Sequence, residues 1–306
     1  MRALRNEWAR GEAAAAQAGG TTGEHPVRHG RGYSFWTTRR EAAGLRERLR
    51  HCKRVIIKVG TSTLTHPGGH LHLGRMEALV RQIADLHFEG RQVILVTSGA
   101  VGAGLGRLGL AERPAEVAAK QALAAVGQGL LMQRYEGLFS EYGLVVGQVL
   151  LTREDLEDPD RRASSAQVME RLLAWGVIPI VNENDTVTSE EIRVGDNDTL
   201  SARVAALVRA DLLILLSDVD GLYPADPHLH PGLSPIPWVS PDDDLDRFAG
   251  GPGSANGTGG MVTKVAAARI CAEHGIPMVL ACGERPDVLR QILAGEEIGT
   301  LFSREG

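Results

Sequence analysis

Positive charge is not in excess in this chain: Lys and Arg number 33 against 38 Asp and Glu, a net charge of -5. No global basic field of the kind that draws nucleic acid is present, so no nucleic-acid partner is expected. Cysteine is scarce. Cys52, Cys271 and Cys282 show no paired metal-site spacing, and three sparse cysteines suit a reducing cytosol better than a disulfide framework. No apolar run reaches the ~18 residues that a membrane span needs. The Arg39-Arg40 pair is followed by no apolar h-region, which argues against an export signal. A cytoplasmic protein is expected. No internal repeat is evident.

What is present is enough apolar material, 43% of 306 residues, for one large α/β domain or two smaller ones. Residues 1–52 differ from the rest. They carry EAAAAQAGGTTGEHPVRHGRG and then a basic stretch from Arg39 to Arg50 with little apolar periodicity. This reads as an extension, disordered or loosely attached, with a short basic helix at its end. From Lys53 onward, short β-branched runs alternate with amphipathic helical patterns. Strands are predicted at 55–59, 92–96, 145–150, 177–181, 212–216 and 278–280. Helices are predicted at 74–89, 115–142, 161–174, 199–208 and 261–274. Strands apolar on both faces, separated by helices, predict a mostly parallel sheet covered on both sides. The Pro-, Gly- and Asp-rich stretch 224–257 predicts a mobile excursion over one edge of that sheet.

Ligands of such sheets bind outside the carboxyl ends of the strands, so those positions hold the functional residues. After the first strand comes Lys58, then Gly60, Thr61 and Ser62. A glycine lets backbone amides approach an anion, and a lysine adds charge; no Walker A spacing is present. After the second come Thr97, Ser98 and Gly99 at an expected helix start, where amides at the positive end of a helix dipole suit an anion. A GxGxxG match at Gly104, Gly106 and Gly109 lies beyond the turn and has no acidic partner, so it is not taken as a dinucleotide fingerprint. After the fourth comes the densest polar stretch, 181–202. It carries Asn182, Asn184, Asp185, Asp196, Asn197 and Asp198, with Glu183, Glu190 and Glu191. After the fifth stand Ser217, Asp218 and Asp220. A second glycine cradle, Gly257, Gly259 and Gly260, opens a helix whose first turn carries Thr263 and Lys264. A lysine there opposes the helix dipole and points to an anionic ligand.

Each feature alone fits an ordinary loop. Two lysine-bearing cradles and an Asp/Asn-rich centre, all at strand ends, together fit phosphoryl transfer, which needs positive charge around a moving phosphoryl group and Mg2+ for the nucleotide.

The segments IIKVGTSTLT, VILVTSGAVGAG, KQALAAVGQ, VGQVLLTREDLED, VIPIVNENDTV, IRVGDNDTLSA, LLSDVDGLYPADP, GTGGMVTK and GTLF resemble, in that order, those of the amino-acid kinase family, and cover nearly all of 54–302. The resemblance implies an open αβα sandwich. The combination of GDNDTLSA and GTGGMVTK implies transfer of the γ-phosphate of ATP to the side-chain carboxylate of L-glutamate, the first step of proline biosynthesis. Carried over by position, Lys58 and Lys264 are implied to contact the nucleotide phosphates and the transferring phosphoryl group. Asp198 is implied to hold the two lysines. Ser98, Asp185 and Asn197 are implied to bind glutamate. Ser217 and Asp218, with Thr258, Gly259, Gly260, Met261, Val262, Thr263 and Lys264, are implied to bind ATP. Mg2+ is implied with the nucleotide, and no residue is assigned as a metal ligand.

The resemblance further implies a homo-oligomer, dimer or tetramer, and inhibition by proline. A carboxylate kinase of different substrate and a non-catalytic sensor of amino acid or nucleotide are the alternatives. Many family members carry a carboxyl-terminal PUA module, whereas this sequence stops just after Phe302, so a catalytic domain from residue 53 to 306 without that module is expected. Ser164 stands where the family carries an asparagine.

Overall fold

The computed structural model describes residues 39–304, apart from 67, 189–195, 226–229, 231, 241–242, 244 and 246–259; of 39–42 it describes the backbone only. Residues 37–306 cluster into one compact unit. Eight strands form one sheet: β1 (Arg54–Val59), β2 (Gln92–Thr97), β3 (Val146–Leu151), β4 (Ile178–Glu183), β5 (Leu212–Ser217), β6 (Trp238–Val239), β7 (Met278–Cys282) and β8 (Thr300–Phe302). Their order is β3-β4-β2-β1-β5-β7-β8-β6. The first six in that order are parallel, β8 is antiparallel to β7, and β6 pairs parallel with β8. The expected mostly parallel sheet between helical layers is the architecture found.

The continuous apolar runs are explained by burial on both faces. Along β1, Val55, Ile57 and Val59 enter one core cluster while Ile56 enters the other. β5 divides likewise, Leu212, Ile214 and Leu216 against Leu213 and Leu215. This is the period-two alternation of a strand, with both faces dry. Each such side chain contributes roughly 1.5–3 kcal/mol of burial relative to exposure.

One layer of helices comprises α1 (Arg39–Arg48), α3 (Leu73–Phe88), α5 (Val117–Ser140) and α10 (Val288–Leu293). Helix α3 seats Met76, Val80 and Ile83 there, and α5 seats Leu131, Tyr135 and Phe139, at helical spacing. The opposite layer comprises α6 (Arg153–Glu157), α7 (Pro159–Ala174), α8 (Asn197–Leu207) and α9 (Met261–Glu273). Two short helices, α2 (Thr61–Leu64) and α4 (Ala100–Leu108), follow β1 and β2.

The predicted strands and helices are all present, with ends shifted by at most two residues. The differences lie in short elements. Helices α2, α6 and α10 and strands β6 and β8 carry too few residues for a periodicity to register. Within the stretch 224–257, Trp238–Val239 is a buried edge strand.

The end of the amino-terminal stretch is also structured. Leu45, Leu49 and Cys52 join the core. Arg46, 1% exposed, donates to the carbonyls of Pro237, Glu296, Ile298 and Gly299 at 2.7–3.1 Å. Burial lowers its pKa to about 10, with Glu297 opposing. A basic residue in an apparently polar run is thus a brace across the sheet's far edge.

The glycines at 104, 106 and 109 have packing roles. A Cβ on Gly104 would stand 2.0 Å from the carbonyl oxygen of Leu123 on α5, and one on Gly106 would stand 2.9 Å from the backbone at Gly69. Gly109 closes α4 in the left-handed conformation.

Candidate active site

Strand order reverses about β1, which has β2 on one side and β5 on the other, and ligands of open α/β sheets bind at such a switch point. At the carboxyl ends of β1, β2, β4 and β5 lies a cleft of about 440 Å³. Its walls bring together Lys58, Ser98, Asp185, Asn197, Asp198, Ser217, Asp218 and Lys264, all predicted from sequence, along with the backbone turn at Gly60. A second cavity, of about 320 Å³ beneath the amino ends of the strands, holds none of them.

Helix α8 organises the centre. Asp196 caps it, accepting from the backbone N–H of Asp198 at 2.6 Å and of Thr199 at 3.0 Å, as a short acid does at an N-cap. The first helical turn then presents Asn197 and Asp198 to the cleft, two residues earlier than the predicted helix start. Asp198 is 1% exposed. One of its oxygens lies 2.5 Å from Lys58 Nζ; the other accepts from Lys264 Nζ at 3.2 Å and from Thr263 Oγ1 at 2.8 Å. Burial pushes the Asp198 carboxyl up, but the ammoniums of Lys58 and Lys264 and hydrogen bonds from Lys58 and Thr263 outweigh it, so its pKa is lowered. Asp196 goes the other way. Burial and the nearby Asp198 charge raise it, against the helix N–H groups and Lys58.

Lys264 in the first turn of α9 therefore already has an anion facing it, which accounts for part of the dipole anomaly noted in the sequence. Both lysines are buried, at 8% and 6% exposure. They end in the cleft, where a single carboxylate fixes two positive charges within reach of one anionic ligand.

Asn197 forms the other pole. Its Nδ2 donates to the carbonyl of Thr97 at 2.8 Å, Ser98 Oγ at 2.8 Å and Asn182 Oδ1 at 2.9 Å. Its Oδ1 is buried and, among the described residues, has no hydrogen-bond partner. An orphaned acceptor in a cleft wall is costly unless a ligand supplies a donor. Ser98 and Gly99 lead into α4, and Gly99 at φ +102° makes the sharp strand-to-helix turn that a side chain would strain. Ser217 at the end of β5 donates to Asp218 at 3.0 Å.

Some expectations stand apart from this grouping. Thr258 and Gly259, like Gly257, Glu190 and Glu191, lie outside the described residues. Gly260, Met261, Val262 and Thr263 open α9, and none of the four lines the cleft. Ser164 is exposed on α7.

Sequence reasoning gave no role to Asn182, Glu183, Asp196 or Arg113, all of which line the cleft. Asn182, Glu183 and Asp196 sit inside the polar stretch already singled out, so their density was the available signal. Arg113 lies between α4 and α5, and no motif marks it. Among the described residues, no cluster of three or more His, Cys, Asp or Glu is arranged to hold a metal ion, and no helix is long and apolar enough to cross a membrane.

Residues 53–282 match the Amino acid kinase family. A glutamate 5-kinase of Caldanaerobacter subterraneus is 56% identical over 250 residues, covering 81% of this chain and 67% of its own length. One from Moorella thermoacetica is 57% identical over 255 residues, 83% of this chain and 68% of that one. One from Clostridium acetobutylicum is 55% identical over 255 residues, 83% and 96%. Among solved structures, UMP kinase from Bacillus anthracis overlays with a TM-score of 0.57 at 18% identity, covering 82% of this chain and 96% of that one. UMP kinase from Ureaplasma parvum overlays at 0.59 with 15% identity, 83% and 99%. These two likenesses speak to the fold.

Proposed function

The chain belongs to the amino acid kinase family, and from that premise we propose that it transfers the γ-phosphate of ATP to the side-chain carboxylate of L-glutamate, giving L-glutamyl 5-phosphate. The observation that carries the reading is Asp198 joining Lys58 and Lys264 one residue from Asn197, whose side chain lines the same cleft and whose buried oxygen has no hydrogen-bond partner among the described residues. The relatives at 55–57% identity, named for this reaction, support the choice of acceptor.

The chemistry follows from the acceptor. A glutamate side chain, with an ordinary pKa of about 4.3, is already ionised at neutral pH, so no general base is needed. The barrier is repulsion between that carboxylate and the polyphosphate. Lys58 and Lys264 offset it, and Asp198 keeps both ammoniums aimed at the point of transfer. A carboxylate oxygen attacks the γ-phosphorus, the bond to the bridging oxygen breaks, and ADP leaves with its electron pair. On the acceptor side, the ammonium of the amino acid matches the unpartnered oxygen of Asn197 and the carboxylate of Asp185, and its α-carboxylate matches Ser98. Ser217, Asp218 and the start of α9, Gly260–Lys264, are proposed for ATP, with Thr258 and Gly259 continuing that loop.

Magnesium fits as a companion of the nucleotide. Five carboxylates line the cleft against three cations, a donor set that welcomes a divalent ion. Mg2+ normally takes one or two carboxylates plus phosphates and water, so no dedicated cage is required. When bound, it supplies charge neutralisation of the phosphates.

We place the activity in the cytoplasm, in the unit 53–306 braced by α1, and expect a homo-oligomer with proline as a feedback inhibitor. Turnover unaffected by millimolar proline, or a monomer by light scattering, would remove those two points. The reaction itself is tested by trapping the acyl phosphate with hydroxylamine. Hydroxamate should form with glutamate and ATP-Mg2+ and not with aspartate or acetylglutamate. A chain that binds ATP and glutamate yet yields no hydroxamate would instead be a sensor.

A further inference from the structure

One sequence segment singled out above, KQALAAVGQ (120–128), has no part in the chemistry so far. It lies on α5, and it meets the acceptor half of the cleft at two points two helical turns apart. Gln128, 8% exposed, accepts at Oε1 from Asn182 Nδ2 at 2.8 Å. Asn182 Oδ1 in turn accepts from Asn197 Nδ2 at 2.9 Å and from the N–H of Glu183 at 2.9 Å. Gln121 donates from Nε2 to the carbonyl of Thr188 at 3.1 Å. Thr188 closes the turn that carries Asp185 by donating from Oγ1 to the carbonyl of Asn184 at 2.7 Å.

The helix that carries both glutamines is itself fixed against the cleft. A Cβ on Gly127 would stand 1.7 Å from the carbonyl oxygen of Ala100, at the start of α4. Backbone therefore touches backbone one residue before Gln128, and the height of Gln128 at the end of β4 has little freedom. An amide can face either way, and Asn182 is held to one orientation because Gln128 offers it an acceptor while Asn197 and the Glu183 N–H require an oxygen on the other side. Gln128 Nε2 is buried and, among the described residues, has no hydrogen-bond partner, so the amide group there serves through its oxygen.

We propose that Gln128 is a positioning residue for the amino-acid acceptor, acting through Asn182 on Asn197, and that Gln121 is its counterpart for the turn bearing Asp185. The proposal rests on the glutamate reading of the cleft. It goes beyond that reading by assigning acceptor affinity to a helix that contributes no atom to the lysine–aspartate cluster. The two halves of the cleft then have separate supports, and acceptor binding responds to changes on α5 while nucleotide binding does not.

The test uses the full chain with Gln128→Met, Gln121→Leu, Asn182→Ala and the Gln128→Met/Asn182→Ala double variant, assayed by hydroxamate formation and by calorimetric titration of glutamate. For Gln128→Met, a rise in KM for glutamate of roughly tenfold to hundredfold is expected, the scale of a small misplacement of binding groups. KM for ATP should stay within about twofold. The double variant should match Asn182→Ala alone, because two residues of one relay are not additive. Gln121→Leu should raise KM for glutamate by a smaller factor, and it serves as the second variant if Gln128→Met does not fold. Equal rises in both KM values, multiplicative effects in the double variant, or an unchanged glutamate KM in both single glutamine variants would overturn the proposal. Wild-type chain that turns over glutamate, with variants behaving in any of those ways, leaves the kinase reading intact. Wild-type chain that forms no hydroxamate from glutamate overturns both.

Discussion

Replacing Asp198 with asparagine keeps the shape of the site and removes the charge that two buried ammoniums share. Lys58 and Lys264 lie 2.5 and 3.2 Å from its two oxygens, and removing one partner of a buried pair costs about 3–5 kcal/mol. The two ammoniums, on the order of 5 Å apart, then repel by about 3 kcal/mol at an effective dielectric of about 20, and relaxation of the lysines toward solvent relieves part of this. A net loss of about 3–5 kcal/mol, at roughly 2–4 °C per kcal/mol, lowers Tm by roughly 6–20 °C. The pH dependence carries a sign that can be checked. The folded pKa of Asp198 is lowered, so its stabilisation is fully present above the ordinary carboxylate range and is lost as pH falls through the lowered folded value. The asparagine variant lacks that acid-side loss. Thermal scans from pH 3 to 8, with and without tripolyphosphate, decide the matter, because a polyanion replaces the missing charge and should raise the variant's Tm more than the wild type's. Turnover should fall at least about a hundredfold. A variant with wild-type Tm, unchanged by tripolyphosphate, would refute the claim that Asp198 holds the lysines.

Three other substitutions separate the parts of the molecule. Lys264→Ala should lower kcat by about 10²–10³, the scale of one lost transition-state donor, in the hydroxamate assay. Asp185→Asn should raise KM for glutamate roughly tenfold while leaving KM for ATP alone, if its charge meets the substrate ammonium. Arg46→Met should leave kcat unchanged at low temperature yet destabilise the fold by about 3 kcal/mol or more in denaturant titrations, because four carbonyls lose a charged donor.

The long elements were legible in the sequence because they bury a repeating face. A run such as RVIIKV or LLILLS has no other use than a strand covered on both sides, and the helices between them keep a period near 3.6. The ends of those strands were legible for a different reason, since small and ionisable residues crowd there against an apolar background. What could not be read was anything decided by a partner far along the chain. Arg46 looked like one more charge in a basic run, and only the carbonyls of residues 237–299 explain its burial. Glu183 carried no role in the sequence and closes β4, 7% exposed. The glycines of AVGAGLGRLG match a nucleotide-loop pattern by spacing, yet Gly104 lets α4 and α5 touch, Gly106 packs on the backbone at Gly69 and Gly109 closes the helix.

That helix contact also says why the polar stretch 181–202 is not a simple surface loop. Its two functional ends are anchored to different layers of the sandwich: Asn182 to Gln128 on α5, and Asp198 to Lys264 on α9. Asn197 links them across the sheet's edge through Asn182, Thr97 and Ser98. Its side chain is therefore held by contacts that lead to both layers before any ligand arrives. Preorganisation of this kind lowers the ordering cost of binding. It also predicts which side of the cleft is selective. On the proposed reading the lysine side meets a phosphate chain whose charge is spread over many oxygens, and ammoniums acting as point charges tolerate its exact position. On the same reading the asparagine side meets one amino acid, whose ammonium and carboxylate must each find a fixed partner, and there the fold places its hydrogen-bonded amides.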